Sequence, residues 1–197
     1  MEFIGITGGV GAGKSRILKF IEENYNAKVL LADEVAHGLM EPGTDCYEKI
    51  IKAFPGKDIL KEDGAFDAGK LAEVIFSDRE MRERMNGIVH PAVKEEILDI
   101  YQKEKEKGKF SYFILEAALL IEEGYDTICD RLWYIDTSRE IRRQRLKANR
   151  GYSDEKIDSI FESQLPEDTY RKYAALVIDN NGTLEETIYQ VKQAFAG

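Results

Sequence analysis

A chain of 197 residues, 43% of them hydrophobic, is long enough to bury one sizeable core with an elaboration or a small satellite domain. Its formal charge of −9 and sequence pI of about 4.9 argue against a nucleic-acid partner, because binding to phosphate backbones runs on surplus Lys and Arg. Cys46 and Cys129 form no CxxC or Cys/His cluster, so neither a disulfide framework nor zinc is suggested, and no apolar run reaches membrane-spanning length.

The opening residues Met1 to Gly5 carry no basic n-region and no apolar h-region, which makes the cytoplasm the expected location. The first apolar run, Phe3-Ile4-Gly5-Ile6, reads as a strand. Gly8-Gly9-Val10-Gly11-Ala12-Gly13-Lys14-Ser15 follows it and satisfies G-x-x-x-x-G-K-S in full, with a helical pattern running from Ser15 to Asn24. Gly8, Gly9, Gly11 and Gly13 allow the backbone to turn its N–H groups around a β-phosphate, and the helix N-terminus adds its own donors and dipole. Lys14 is expected to reach the β- and γ-phosphates of ATP, and the Ser15 hydroxyl to ligate Mg²⁺. A glycine-rich turn that binds nothing is the alternative, and the full match weighs against it.

Lys28 to Leu31 reads as a second strand, with Asp33 at its carboxyl end. In open α/β sheets ligands gather at those ends, so Asp33 is a candidate to accept the proton of an acceptor hydroxyl. Position alone also supports a helix cap. His37, four residues on, is expected to face solvent. Nearly eighty residues then show helical spacing (Ile50-Ile51-Phe54, Leu71-Val74-Ile75, Ile88-Val93-Ile97-Ile100). That is too long for a crossover and predicts an inserted helical subdomain, ending in the charge run Lys103–Lys109. His90, before Pro91, reads equally as a capping or core histidine and as a ligand contact.

Tyr112–Leu115, Leu132–Ile135 and Leu176–Ile178 complete five strands without clean alternation, as expected for a parallel sheet buried on both faces. Glu116 follows the third. Between the fourth and fifth lies an excursion rich in Arg139, Arg142, Arg143, Arg145, Lys147 and Arg150, which reads either as a solvated helix face or as a lid that closes over phosphates. A final helix covers Leu184–Ala196. No guanine-reading Asn-Lys-x-Asp occurs, and Asp179-Asn180-Asn181-Gly182 reads as a turn, so a small-molecule kinase outranks a GTPase or a mechanical ATPase. The expected fold is α/β: a P-loop kinase with a five-stranded parallel sheet flanked by helices.

The whole chain resembles the dephospho-coenzyme A kinase family. Ile4 to Ser15, Leu31-Ala32-Asp33 with Glu41-Pro42-Gly43, Asp63 to Asp67, Met85-Asn86-Gly87-Ile88-Val89-His90-Pro91, Gln164 and Val177 to Gly182 are similar to family blocks. The resemblance implies transfer of the ATP γ-phosphate to the ribose 3′-hydroxyl of dephospho-CoA, the last step in making coenzyme A. It implies a nucleotide-binding core (1–33, 110–138 and 174–197), a helical CoA-acceptor subdomain (34–109) and a lid (139–173). Catalytic roles would fall to Asp33, Lys14 and Arg145. ATP binding would involve Gly9, Gly11, Ala12, Gly13, Lys14, Ser15, Arg16 and Asn180, and acceptor binding Asp33, Asn86 and His90. Ser15 and Glu116 would serve the metal. Departures from the family pattern are Glu116 for aspartate, Ala118 for proline, Arg142 for glutamine, Asn149 for arginine and Ala175 for aspartate. A kinase for another small acceptor, such as a nucleoside monophosphate, is the nearest alternative.

Overall fold

The computed structural model describes residues 1–196, Phe76 through its backbone only. The chain divides into two compact units, one built from Met1–Leu30 with everything from Gly108 onward, the other from Leu31–Lys107.

The first unit carries the sheet. Strands β1 (Glu2–Thr7), β2 (Ala27–Leu31), β3 (Tyr112–Glu116), β4 (Arg131–Asp136) and β5 (Leu176–Asp179) lie in the order β2-β3-β1-β4-β5. The pairings of β1 with β3 and β4, and of β4 with β5, are parallel. The apolar runs of the inner strands β1, β3 and β4 are buried because both sheet faces are covered there; Ile4, Ile6, Phe113, Ile114, Leu115, Trp133 and Ile135 are at most 1% exposed. Close packing fixes one strand position. A Cβ on Gly5 would stand 2.9 Å from both the Cys129 sulfur and the Leu120 side chain. Sequence reading locates all five strands within a residue of their ends, because a buried parallel strand is a short apolar run bounded by polar residues.

The order of strands makes β1 central, with the chain leaving it towards β2 on one side and reaching β4 on the other. The carboxyl end of β1 is therefore where the connections diverge, the place where open α/β sheets bind ligands. Register puts Ile6 opposite Glu116 and Thr7 opposite Tyr134, so Glu116 ends its strand two residues short of the level of Gly8. Helix α1 (Lys14–Asn24) follows the glycine loop. In the second unit, α2 (Ala32–Leu39), α3 (Asp45–Ala53) and α4 (Ala68–Ser77) pack on the long α5 (Arg79–Lys107). Thr44 caps α3 by accepting the Tyr47 N–H, and Asp67 caps α4 by accepting from Gly69 and Lys70. Val35, Cys46, Ile50, Leu71, Met85, Val89, Val93 and Ile97 are buried positions of these helices, and Gly108, at φ 62°, closes α5.

Back in the sheet unit, α6 (Arg139–Arg150), α7 (Asp154–Glu162) and α8 (Glu167–Tyr173) lie between β4 and β5, and α9 (Leu184–Ala196) ends the described chain. α6 and α7 share a small core of Leu146, Ile157 and Phe161. Phe195 of α9 stacks on Tyr25 at 4.0 Å and meets Trp133 edge-on at 5.0 Å, which ties the last helix to the sheet.

Candidate active site

The loop between β1 and α1 is held by donors aimed at its carbonyls. The Ala12 carbonyl accepts from Asn180 Nδ2 (2.6 Å), Arg145 Nη1 (3.0 Å) and Thr137 Oγ1 (3.1 Å). The Val10 carbonyl accepts from Arg142 Nε (2.9 Å), and the Gly8 carbonyl from Lys14 Nζ (2.7 Å). In a planar trans peptide the N–H points opposite to the C=O. Fixing the carbonyls of Gly8, Val10 and Ala12 therefore turns the N–H groups of Gly9, Gly11 and Gly13 to the other side. Ala12 N–H closes the turn internally on Gly9 O at 3.0 Å. Backbone amides freed in this way are available to an anion.

Glycine is needed at two of these positions for conformation as well as space. Gly11 and Gly13 have φ of 85° and 91°, in the left-handed region. A Cβ on Gly13 would also sit 2.7 Å from Asn180 Nδ2, and one on Gly11 would press on Leu146 and the Arg142 backbone. Gly13 is the N-cap residue of α1 and no side chain caps that helix, which leaves its amino end as an anion site.

Lys14 stands 3.3 Å from Glu116 Oε1, with both side chains largely sheltered at 12% and 16% exposure. Glu116 thus lies against the lysine of the loop. Ser15 and Arg16 are exposed in the first turn of α1. Arg145 is held below its ordinary basicity mainly by burial, and also by the neighbouring Arg16. Its second nitrogen, Nη2, donates to Asn180 O at 3.0 Å, so the guanidinium bridges the loop and the end of β5. Asn180 is itself held by the Thr187 hydroxyl at 2.8 Å. The turn reading of Asp179 to Gly182 fits these bonds, and Asn181 N–H donates to Asp179 Oδ1 at 2.9 Å.

The basic run after β4 divides by helix face. Arg142, Arg145 and Leu146, spaced i, i+3, i+4, lie on the phosphate loop. Arg143 pairs with Asp154 and Asp158 of α7, Lys147 with Asp154, and Arg139 with Glu167 at 4.0 Å. Arg150 lies over the Tyr152 ring. Missed from sequence were Thr137 and Thr187, whose signal was only their place just beyond β4 and on the helix after β5.

In the helical unit Asp33 is the second residue of α2 and exposed. It does not cap that helix: α2 begins at Ala32, one residue earlier, with Leu31 at the cap position and no side-chain cap. Asn86 and His90 lie one turn apart on α5, the first exposed and the second half-buried. Pro91 sits inside α5, so the Gly87 carbonyl lacks its helical N–H donor. His37 is exposed.

A sequence profile of dephospho-CoA kinases matches residues 2–186. The dephospho-CoA kinase of Aquifex aeolicus is 38% identical over 195 residues, covering 99% of this chain and 96% of the relative. The chain belongs to the dephospho-CoA kinase family. Among solved structures, a Thermus thermophilus protein superposes with a TM-score of 0.82 at 29% identity, covering 99% of this chain and 96% of that one. The dephospho-CoA kinase of Campylobacter jejuni superposes at 0.73 with 23% identity over 100% and 96% of the two chains, a likeness of fold. Membership makes the fold that of a P-loop kinase.

Among the described residues no helix is long and apolar enough to cross a membrane, and no group of three or more His, Cys, Asp and Glu side chains stands ready for a metal. Mg²⁺ does not need such a group, since it keeps waters and takes ligands from substrate phosphates. The Ser15 hydroxyl, exposed at the head of α1, and the Glu116 carboxylate beside Lys14 are oxygen donors of the right kind.

Proposed function

We propose that this kinase moves the γ-phosphoryl group of ATP to the ribose 3′-hydroxyl of dephospho-CoA, giving coenzyme A and ADP. The observation that carries the ATP half is the loop whose Val10 and Ala12 carbonyls are engaged from outside by Arg142, Arg145 and Asn180, which leaves the amides of Gly11 and Gly13 for phosphate. Family membership along nearly the whole chain carries the acceptor half.

Lys14 exchanges Gly8 O and Glu116 for the β- and γ-phosphates as the nucleotide enters. Arg16, Arg145 and Asn180 border the nucleotide at Gly13, and Arg145 steadies charge on the transferring group. Asn86 and His90, one turn apart on α5, hold the acceptor. Asp33 accepts the proton of the 3′-hydroxyl as that oxygen bonds to the γ-phosphorus and the bond to the β,γ-bridging oxygen breaks; the electron pair leaves on ADP. Ser15 and Glu116 would hold Mg²⁺, which would supply neutralisation of the triphosphate charge. The three helices at 139–173 act as the lid, and 34–109 as the acceptor subdomain. Both partners are small nucleotides, in keeping with a net charge of −9, and we take the cytoplasm as the place of the reaction.

Purified protein supplied with ATP, Mg²⁺ and dephospho-CoA should release ADP at a rate that saturates with the acceptor. ADP release no faster than in its absence would reject the reading. Asp33→Asn should lower turnover by about 10²–10⁴-fold, the usual yield of general-base catalysis, with ATP affinity nearly unchanged.

A further inference from the structure

Val10, the one bulky residue among the glycines of the loop, is held at both its backbone groups. Arg142 Nε donates to the Val10 carbonyl at 2.9 Å, and Val10 N–H donates to Gln164 Oε1 at 3.4 Å. Arg142 Nη2 donates to that same Gln164 oxygen, so the three residues close a ring of hydrogen bonds. The guanidinium lies against Gly9, where any Cβ would overlap it, and stacks 4.4 Å from the centre of the Phe161 ring.

Arg142 is only 5% exposed, and among the described residues it has no hydrogen-bonded carboxylate. A buried cation with neutral hydrogen-bond acceptors is costly unless negative charge arrives from elsewhere. Burial accordingly lowers its basicity, with Tyr134, Glu167 and Tyr170 the acidic groups that oppose the shift. A triphosphate bound at the loop would bring negative charge to this buried cation.

We propose that Arg142 is a positioning residue for nucleotide binding, clamping Val10 together with Gln164 so that the Gly11 amide faces the phosphates, and lending its buried charge to the site. The proposal rests on ATP binding at the loop and goes beyond it, because Arg142 stands where the resemblance led us to expect glutamine. It also ties nucleotide affinity to α6 and to the segment after α7, since those elements carry the two clamping side chains.

Calorimetric titration with an ATP analogue bearing an imido β,γ-bridge tests it on the parent, Arg142→Met, Arg142→Lys and Gln164→Leu. Arg142→Met should weaken binding by about ten-fold or more, the loss of a hydrogen bond to a charged group. Arg142→Lys keeps the charge but cannot serve Val10 and Gln164 at once, so it should weaken binding by at least about three-fold. Gln164→Leu should do the same, and the Met/Leu double variant should be no weaker than Arg142→Met alone within about two-fold, because both act through Val10. The KM for dephospho-CoA should stay within about two-fold of the parent throughout, which a general loss of packing would not allow. Affinity within two-fold of the parent in folded Arg142→Met would overturn the proposal; should that variant not fold, the same result in Arg142→Lys and Gln164→Leu would do so. A parent that fails to bind the analogue would instead remove the ATP reading beneath it.

Discussion

Lys14 donates to the Gly8 carbonyl and lies 3.3 Å from Glu116, so an entering triphosphate competes with a carboxylate for the lysine it needs. Glutamate in place of aspartate at this position puts the charge one methylene farther from the end of β3, within reach of the Lys14 amine. Without magnesium, Glu116→Gln should tighten ATP binding by a few-fold, since one anion is taken from beside the phosphates. With magnesium, turnover at saturating ATP should fall by about ten-fold or more, as expected when a metal partner is lost. Titration in EDTA and initial rates in excess Mg²⁺ measure the two effects separately. Equal affinity in EDTA would show that Glu116 does not restrain Lys14, and unchanged turnover would remove it from the metal site.

At the scale of elements, the glycine loop was legible because its signal is packed into eight consecutive residues between a strand and a helix. The groups that hold it open were not, since the donors to the Ala12 carbonyl lie 125, 133 and 168 positions away and meet it only through the order of the sheet. The basic run after β4 was visible as charge, yet its division between loop and α7 follows from which turn of α6 each side chain occupies. Asp33 was read at the carboxyl end of the second strand or as the cap of a helix starting near Glu34, but the strand ends at Leu31 and the helix already begins at Ala32, whose high helix propensity favours that start. α6 and α7 are held to each other by the Leu146, Ile157 and Phe161 core. Ile157→Ala in that fully buried position should cost about 2–5 kcal/mol of stability by denaturant unfolding. Because Phe161 also backs the Arg142 guanidinium, the variant should weaken ATP binding as well. A stability loss under about 1 kcal/mol would mean the small core is not what holds these helices.

For the whole molecule, the chain divides into two compact units. One is a buried parallel sheet that brings the phosphate loop, Glu116, Thr137 and Asn180 to the carboxyl ends of its strands. The other is a helical unit that carries Asp33, Asn86 and His90. On the proposed reading the sheet unit holds the triphosphate, and the acceptor is named by family membership along nearly the whole chain. Phosphorus NMR of the purified protein with ATP, Mg²⁺ and dephospho-CoA follows the transferred group itself. The account predicts that the γ-phosphate signal of ATP is replaced by one phosphomonoester on the ribose 3′-oxygen of coenzyme A, in step with ADP. ADP accompanied by inorganic phosphate, or a phosphomonoester formed elsewhere on the acceptor, would contradict it.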